Sequence, residues 1–305
     1  MSEMRHNRIW LNNKKTAVCL GGHPWPKGKK KVMLNNILRN AILPVIPDEC
    51  DAEVDGCGQE FKGFMWGNDV HGDCECVSAA NWERAAEYHE QGKVINITTD
   101  DVVNWYFTLT GGPDSGLNDS TVLDAWRATG FPVSEPIPVL NKANIERMKK
   151  LKKHPLLVKA LAQCPCHQNP TPTPPAQTQT LTIYDSAGLD RYEEIRCAIA
   201  LLYGARVAIA IPHYAMEQFD AGKPWDYDPK GDQTLDGYHS IYFKKYYKGG
   251  GFQCRTWGTT QDITEAYLDH YLDGAYCMVD NSDSFLKNSP IDLLKLEAEK
   301  QAIAG

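Results

Sequence analysis

Two periodicities divide this chain, and their order limits the folds open to it. In "VSAANWERAAEYHEQG" (77–92), Val77, Ala80, Asn81, Ala85 and Tyr88 recur at three- and four-residue steps, and Gly92 closes the run. This spacing predicts a helix over 74–91. "TTDDVVNWYFTLTGG" (98–112) opens on a threonine cap with an acidic first turn and ends in glycines, and "DSTVLDAWRATG" (119–130) repeats that grammar. The pattern then changes. "RYEEIRCAIALLYG" (191–204) is a last long helical run, and "ARVAIAIP" (205–212) reads as a buried strand. "HSIYFKKYYKGGGFQCRTWG" (239–258) alternates about a glycine turn, as a hairpin does. "TEAYLDHYLDGAYCMVD" predicts a short helix and a final strand. "SPIDLLKLEAEKQAIA" predicts a terminal helix with Ser289 as cap and Pro290 in first position. Helices first and strands later is the order of an α+β fold with two lobes.

The boundaries follow from composition. Residues 1–60 lack strong periodicity and are expected to form an N-terminal extension or wrapping arm. A single domain is expected over 61–285. Its helical lobe is 61–163, and an inserted loop follows at 164–180, where the Pro/Thr/Gln bias cannot pack a core. The β lobe is 181–285, and 286–305 is the C-terminal helix. A formal net charge of −7 leaves no basic excess to offset phosphates, which argues against nucleic acid as the main partner. The local run "KGKKK" (27–31) stands alone in an acidic chain and reads as a solvated loop. No stretch approaches the roughly 18 apolar residues of a membrane span, and the N-terminus has no apolar segment of signal-peptide length. The expectation is a soluble protein, cytoplasmic and not exported. Without a secretion signal, ten cysteines favour free thiols, catalysis or metal over a disulfide framework.

The stretch "GNDVHGDCEC" (67–76) carries the chemistry. Cys74 falls at the first position of the expected helix, with Asp73 as cap. A helix N-terminus lowers a thiol pKa through its free N–H groups and dipole. Asp73 and Glu75 oppose that effect, so a cationic imidazole is needed to hold a thiolate. His239, at the start of the expected hairpin, offers a base on a rigid element. Cys76 points about 160° away from Cys74 on a helix and reads as packing. His71 reads as a solvated loop residue.

These residues carry a resemblance. "GNDVHGDC" before a helix, then "YGARVAIAI", "GYHSIYF" and "RTWG", resemble in order and spacing the landmarks of papain-like cysteine peptidases. More narrowly, "GNDVHGDC", "AMEQFDAGKPWD" (215–226) and "TWG" resemble a little-characterised group of bacterial and phage papain-like proteins. The resemblance covers roughly residues 61–282. It implies a papain-like two-lobed fold, Cys74 as nucleophile and His239 as base. Asn68, six residues before Cys74, would hold the oxyanion with the Cys74 N–H, and Trp257 would shield the imidazole. The sequence departs from the family at the third triad position, where Arg255 replaces the usual Asn and Thr256 the neighbouring Ser. Arginine has no acceptor to orient an imidazole, whereas the Thr256 hydroxyl does.

The resemblance therefore implies thiol-dependent cleavage of a peptide or related amide bond, with a peptide or protein substrate and no cofactor or resident metal. Two other readings stay open. One is a papain-like scaffold with a degraded triad, serving in binding or as a virion-associated structural protein with a phage assembly partner. The other is a zinc-stabilised module built on Cys50, Cys57, Cys74 and Cys76 or on Cys164, Cys166 and His167, although neither set has the paired C-x2-C spacing of structural zinc.

Overall fold

The computed structural model describes residues 7–37, 45–53, 63–91, 95–133, 179–183, 191–279 and 291–304. The chain opens with an antiparallel hairpin, β1 (Asn7–Leu11) and β2 (Thr16–Leu20), followed by the short β3 (Gly22–His23), helix α1 (Leu34–Ile37) and β4 (Cys50–Asp51). Three helices follow: α2 (Cys74–Gln91), α3 (Thr99–Thr110) and, after β5 (Leu117–Asn118), α4 (Asp119–Thr129). The rest alternates: β6 (Gln179–Ile183), α5 (Arg191–Leu201), β7 (Ala205–Pro212), α6 (His213–Asp220), β8 (Leu235–Tyr246), β9 (Phe252–Thr256), β10 (Thr259–Ile263), α7 (Glu265–Tyr271), β11 (Leu272–Val279) and α8 (Leu293–Ala304). The architecture is α+β.

Local chemistry sets the helix ends. The Thr98 hydroxyl accepts from the Asp101 N–H and the Asp101 carboxylate accepts from the Thr98 N–H, a full capping box. Gly111, at φ 74°, closes α3 in the left-handed region. Asn118 caps α4 through the Thr121 N–H. The expected caps Ser289 and Pro290 lie outside the described residues. Within the described residues α8 starts at Leu293, and the Asp292 carboxylate accepts from the Leu294 N–H.

The main sheet runs β10-β9-β8-β7-β11-β6, antiparallel throughout, with β3 and β4 bridging to the long β8. Every residue of β7 is buried, because α2 covers one face and α5 the other. Two apolar cores result. One joins the sheet to α5, α6 and α7, and the other gathers Trp82, Trp105, Trp126 and Phe131 around α2, α3 and α4. The central helix α2 lies between them and is buried on nearly every side, including its polar residues Glu75, Ser78 and Asn81.

Residues 7–37 and 45–53, read from sequence as an extension, contribute strands and core to this same body. Val18 is fully buried and Leu20 nearly so, both in the sheet-side core, and β3 pairs with β8. The reason is that "TAVCL" is buried on both faces, so it shows no alternation to mark a strand. Of the proposed inserted loop, only residues 179–180 are described, and they begin β6.

Candidate functional site

The loop before α2 is built as a fixed mount. Trp66 (φ 46°) and Gly67 (φ 103°) occupy the left-handed region, and a Cβ on Gly67 would stand 2.6 Å from the Val103 side chain. The Val70 and His71 N–H groups both donate to the Gly67 carbonyl at 2.8 Å. The Asp114 carboxylate accepts from the Gly72 N–H at 3.0 Å and the Tyr106 hydroxyl at 2.6 Å, and lies 3.1 Å from His71 Nδ1. The Asp73 carbonyl then accepts from Cys76 and Val77, starting the helix at Cys74.

Cys74 is fully buried. Backbone hydrogen bonds from Ser240 and Gly21 reach its sulfur, but burial, reinforced by the Glu75 charge, pushes the thiol above its ordinary range. Burial also raises Asp73 well above a normal carboxyl, with the Asn68 amide moderating the shift.

His239 faces Ile209 across the β7–β8 ladder and is 2% exposed. The Thr256 hydroxyl lies 2.7 Å from its Nε2, and Nδ1 has no hydrogen-bond partner among the described residues. Trp257 stacks on the ring, centroids 4.2 Å apart and planes 16° from parallel, and is itself held at φ 42°. Burial lowers the imidazole pKa from 6.5 to about 3, so the ring is neutral at physiological pH. Cys74 and Ser240 therefore meet through backbone and sulfur, which brings the helix start beside the strand that carries His239.

Asn68 is fully buried, but its amide donates to the His71 carbonyl at 3.0 Å and faces the Asp73 carboxyl. It orders the loop that presents Cys74. Arg255 turns to the opposite face of β9 from Thr256, where its Nε donates to both Glu53 carboxylate oxygens, at 2.9 and 3.1 Å. Cys76 packs in the helix-side core. The described cysteines are all free and buried, and no three His, Cys, Asp or Glu side chains among the described residues converge as metal ligands. Cys57, Cys164, Cys166 and His167 lie outside the described residues. No described helix is long and apolar enough to cross a membrane.

The N-terminal strands seal this site. The Cys19 N–H donates to the Asn68 carbonyl at 2.8 Å, and Trp257 Nε1 donates to the Cys19 carbonyl at 3.2 Å. A Cβ on Gly21 would stand 2.0 Å from the Gly72 carbonyl oxygen, so the strand lies directly on the loop. Leu117 N–H donates to the Gly21 carbonyl, and Gly22 pairs with Tyr238, next to His239. No sequence motif signals this cover. None signals Ser240 either, whose backbone meets the sulfur.

No family model matches the chain, and no curated protein matches it. Solved structures do. The crystal structure of xylellain, a cysteine protease from Xylella fastidiosa, superposes with a TM-score of 0.56 at 11% identity, over 85% of this chain and 95% of that one. The fold is papain-like. Procathepsin B S9 from Trypanosoma congolense is also similar, with a TM-score of 0.47 at 12% identity, over 86% of this chain and 87% of that one. The assignment rests on the first of the two. In a papain-like frame Cys74 opens the long helix of the helical part, and His239 lies on the sheet beside the Thr256–Trp257 step.

Proposed function

We propose that the chain is a papain-like thiol hydrolase that cleaves a peptide or related amide bond through Cys74 and His239. The observation that carries this reading is the state of His239. It is a neutral imidazole with one nitrogen held by the Thr256 hydroxyl and the other without a partner, stacked under Trp257 and beside the strand residue that meets the Cys74 sulfur. In the reaction the imidazole takes the thiol proton, and the thiolate attacks the substrate carbonyl. The Cys74 N–H, at the helix N-terminus, stabilises the oxyanion, joined by Asn68 once its amide leaves the His71 carbonyl. The imidazolium returns the proton to the leaving amine, and water then clears the thioester. Because Cys74 is buried under β2 and β3, turnover requires those strands to lift. A cytoplasmic or phage-associated setting belongs to this proposal as well.

The test is alkylation by chloroacetamide with peptide mapping. Cys74 is expected to react fastest of the ten cysteines, and His239→Ala is expected to slow it by at least roughly a hundredfold. Labelling spread over several cysteines, or a rate indifferent to His239→Ala, overturns the reading. The complete burial of Cys74 and the diversion of Arg255 to Glu53 favour a second reading, a silent papain-like scaffold used for binding or virion assembly. That reading expects no Cys74 labelling before global unfolding.

A further inference from the structure

Behind the candidate pair lies a buried polar network that the proposed chemistry does not use. Arg206 is the charged residue of an otherwise apolar β7 and is fully buried. Its Nη2 donates to the Glu75 carboxylate at 2.7 Å and to the Glu75 carbonyl at 3.0 Å. Its Nε donates to Ser78 Oγ at 3.0 Å, and Ser78 Oγ lies 2.8 Å from Ser240 Oγ. Asp119 Oδ1 approaches the same guanidinium at 3.3 Å. Glu75 follows Cys74 in sequence, and Ser240 follows His239. One side chain thus ties the first turn of α2 to the strand that presents the imidazole.

Stability alone does not account for this arrangement. Taking a guanidinium out of water costs several kcal/mol, and well-packed apolar residues often replace such buried ions without loss. The neighbours Ala205, Val207 and Ala208 already supply apolar packing on β7. What the guanidinium adds is a rigid planar fork that donates in several fixed directions at once. Here those directions are the Glu75 carboxylate, the Glu75 backbone and the Ser78 hydroxyl that reaches Ser240. A displacement of about 1 Å between reacting groups can cost roughly a hundredfold in rate, so a bolt at this point acts directly on reactivity.

We propose that Arg206 is a positioning residue: it fixes the separation of Cys74 from His239 by holding Glu75 and Ser78 of α2 against Ser240 of β8. This rests on the Cys74/His239 reading above. An arginine within a strand that is buried on both faces requires partners, which is the sequence signal of this network.

Arg206→Met and Arg206→Lys in the full chain decide the matter, read by Cys74 alkylation with chloroacetamide, cooperative thermal unfolding and the 15N signals of the His239 ring. Arg206→Met is expected to fold, slow alkylation roughly ten- to hundredfold and shift the His239 ring signals. Arg206→Lys keeps a charge against Glu75 and Asp119 but has no fork, and is expected to fall between Met and wild type. Should Arg206→Met fail to fold, Ser78→Ala removes the short path to Ser240, leaving the ion pairs and the longer Arg206 Nη2–Ser240 Oγ hydrogen bond at 3.5 Å, and it is expected to shift the same readouts in the same direction by a smaller amount. A folded variant with wild-type alkylation and wild-type His239 signals overturns the proposal. If alkylation proves indifferent to His239→Ala, the hydrolase reading falls, and the His239 ring signals still decide whether Arg206 sets the geometry.

Discussion

At the scale of single residues, the least expected feature is the Thr256 hydroxyl as the partner of His239, with Arg255 at the position where the papain-like pattern has Asn. Strand alternation separates their contacts: consecutive residues of β9 face opposite sides, so Arg255 donates to Glu53 while the Thr256 hydroxyl meets His239. A hydroxyl is a weaker orienter than an amide oxygen, because it rotates. Its value here lies in being buried beside a ring already fixed by Trp257. Thr256→Val removes the acceptor and keeps the shape. The expected result is a Cys74 alkylation rate lower by about tenfold, with a stability loss of about 1–3 kcal/mol from the unpaired Nε2. Thr256→Ser should fall between the two. Kinetics of chloroacetamide labelling and urea unfolding check this, and an unchanged rate in Thr256→Val would sink the hydroxyl's role.

At the scale of elements, β2, β3 and Gly21 between them cover Cys74. The β2 backbone at Cys19 meets the Asn68 carbonyl and the Trp257 indole, and the Gly21 backbone between the strands meets the Cys74 sulfur, so the cover is bound to both sides of the site by main-chain groups. That explains why the local sequence reads as featureless, since the contacts do not depend on side-chain type. Gly21 is the exception: it has no room for a Cβ against Gly72. Gly21→Ala is expected to lift the strand off the loop, at a cost of about 1–3 kcal/mol from overpacking. Cys74 alkylation should then accelerate severalfold while far-ultraviolet dichroism stays native. A slower or unchanged rate in a folded Gly21→Ala protein would show that access is governed elsewhere.

At the scale of the whole molecule, burying ionisable groups between two cores makes stability depend on pH. His239 binds a proton near 6.5 when unfolded and near about 3 when folded, because burial disfavours the cation. Its contribution is therefore complete above 6.5 and is lost as pH falls toward about 3, by up to about 1.4 kcal/mol per pH unit. Burial lowers His89 in the same direction. Glu75 and Asp119, raised chiefly by burial, act oppositely, contributing most at low pH and least as pH rises through their folded values. His239→Gln isolates the first effect. The stability difference between wild type and this variant, from urea unfolding, should shrink between pH 6.5 and 4.5, and a constant difference would refute a neutral buried imidazole. The amino-acid order by itself determined the α+β layout and the start of α2 at Cys74, because periodicity and caps act within a few residues, while Trp257 against His239 was implied only by the papain-like resemblance. Only the tertiary structure decided that "TAVCLGG" covers the site, that Asn68 turns its amide to the loop and that Arg206 ties α2 to β8. These depend on which distant backbone and which buried charge meet in space, and burial on both faces erases the local pattern that would have announced them.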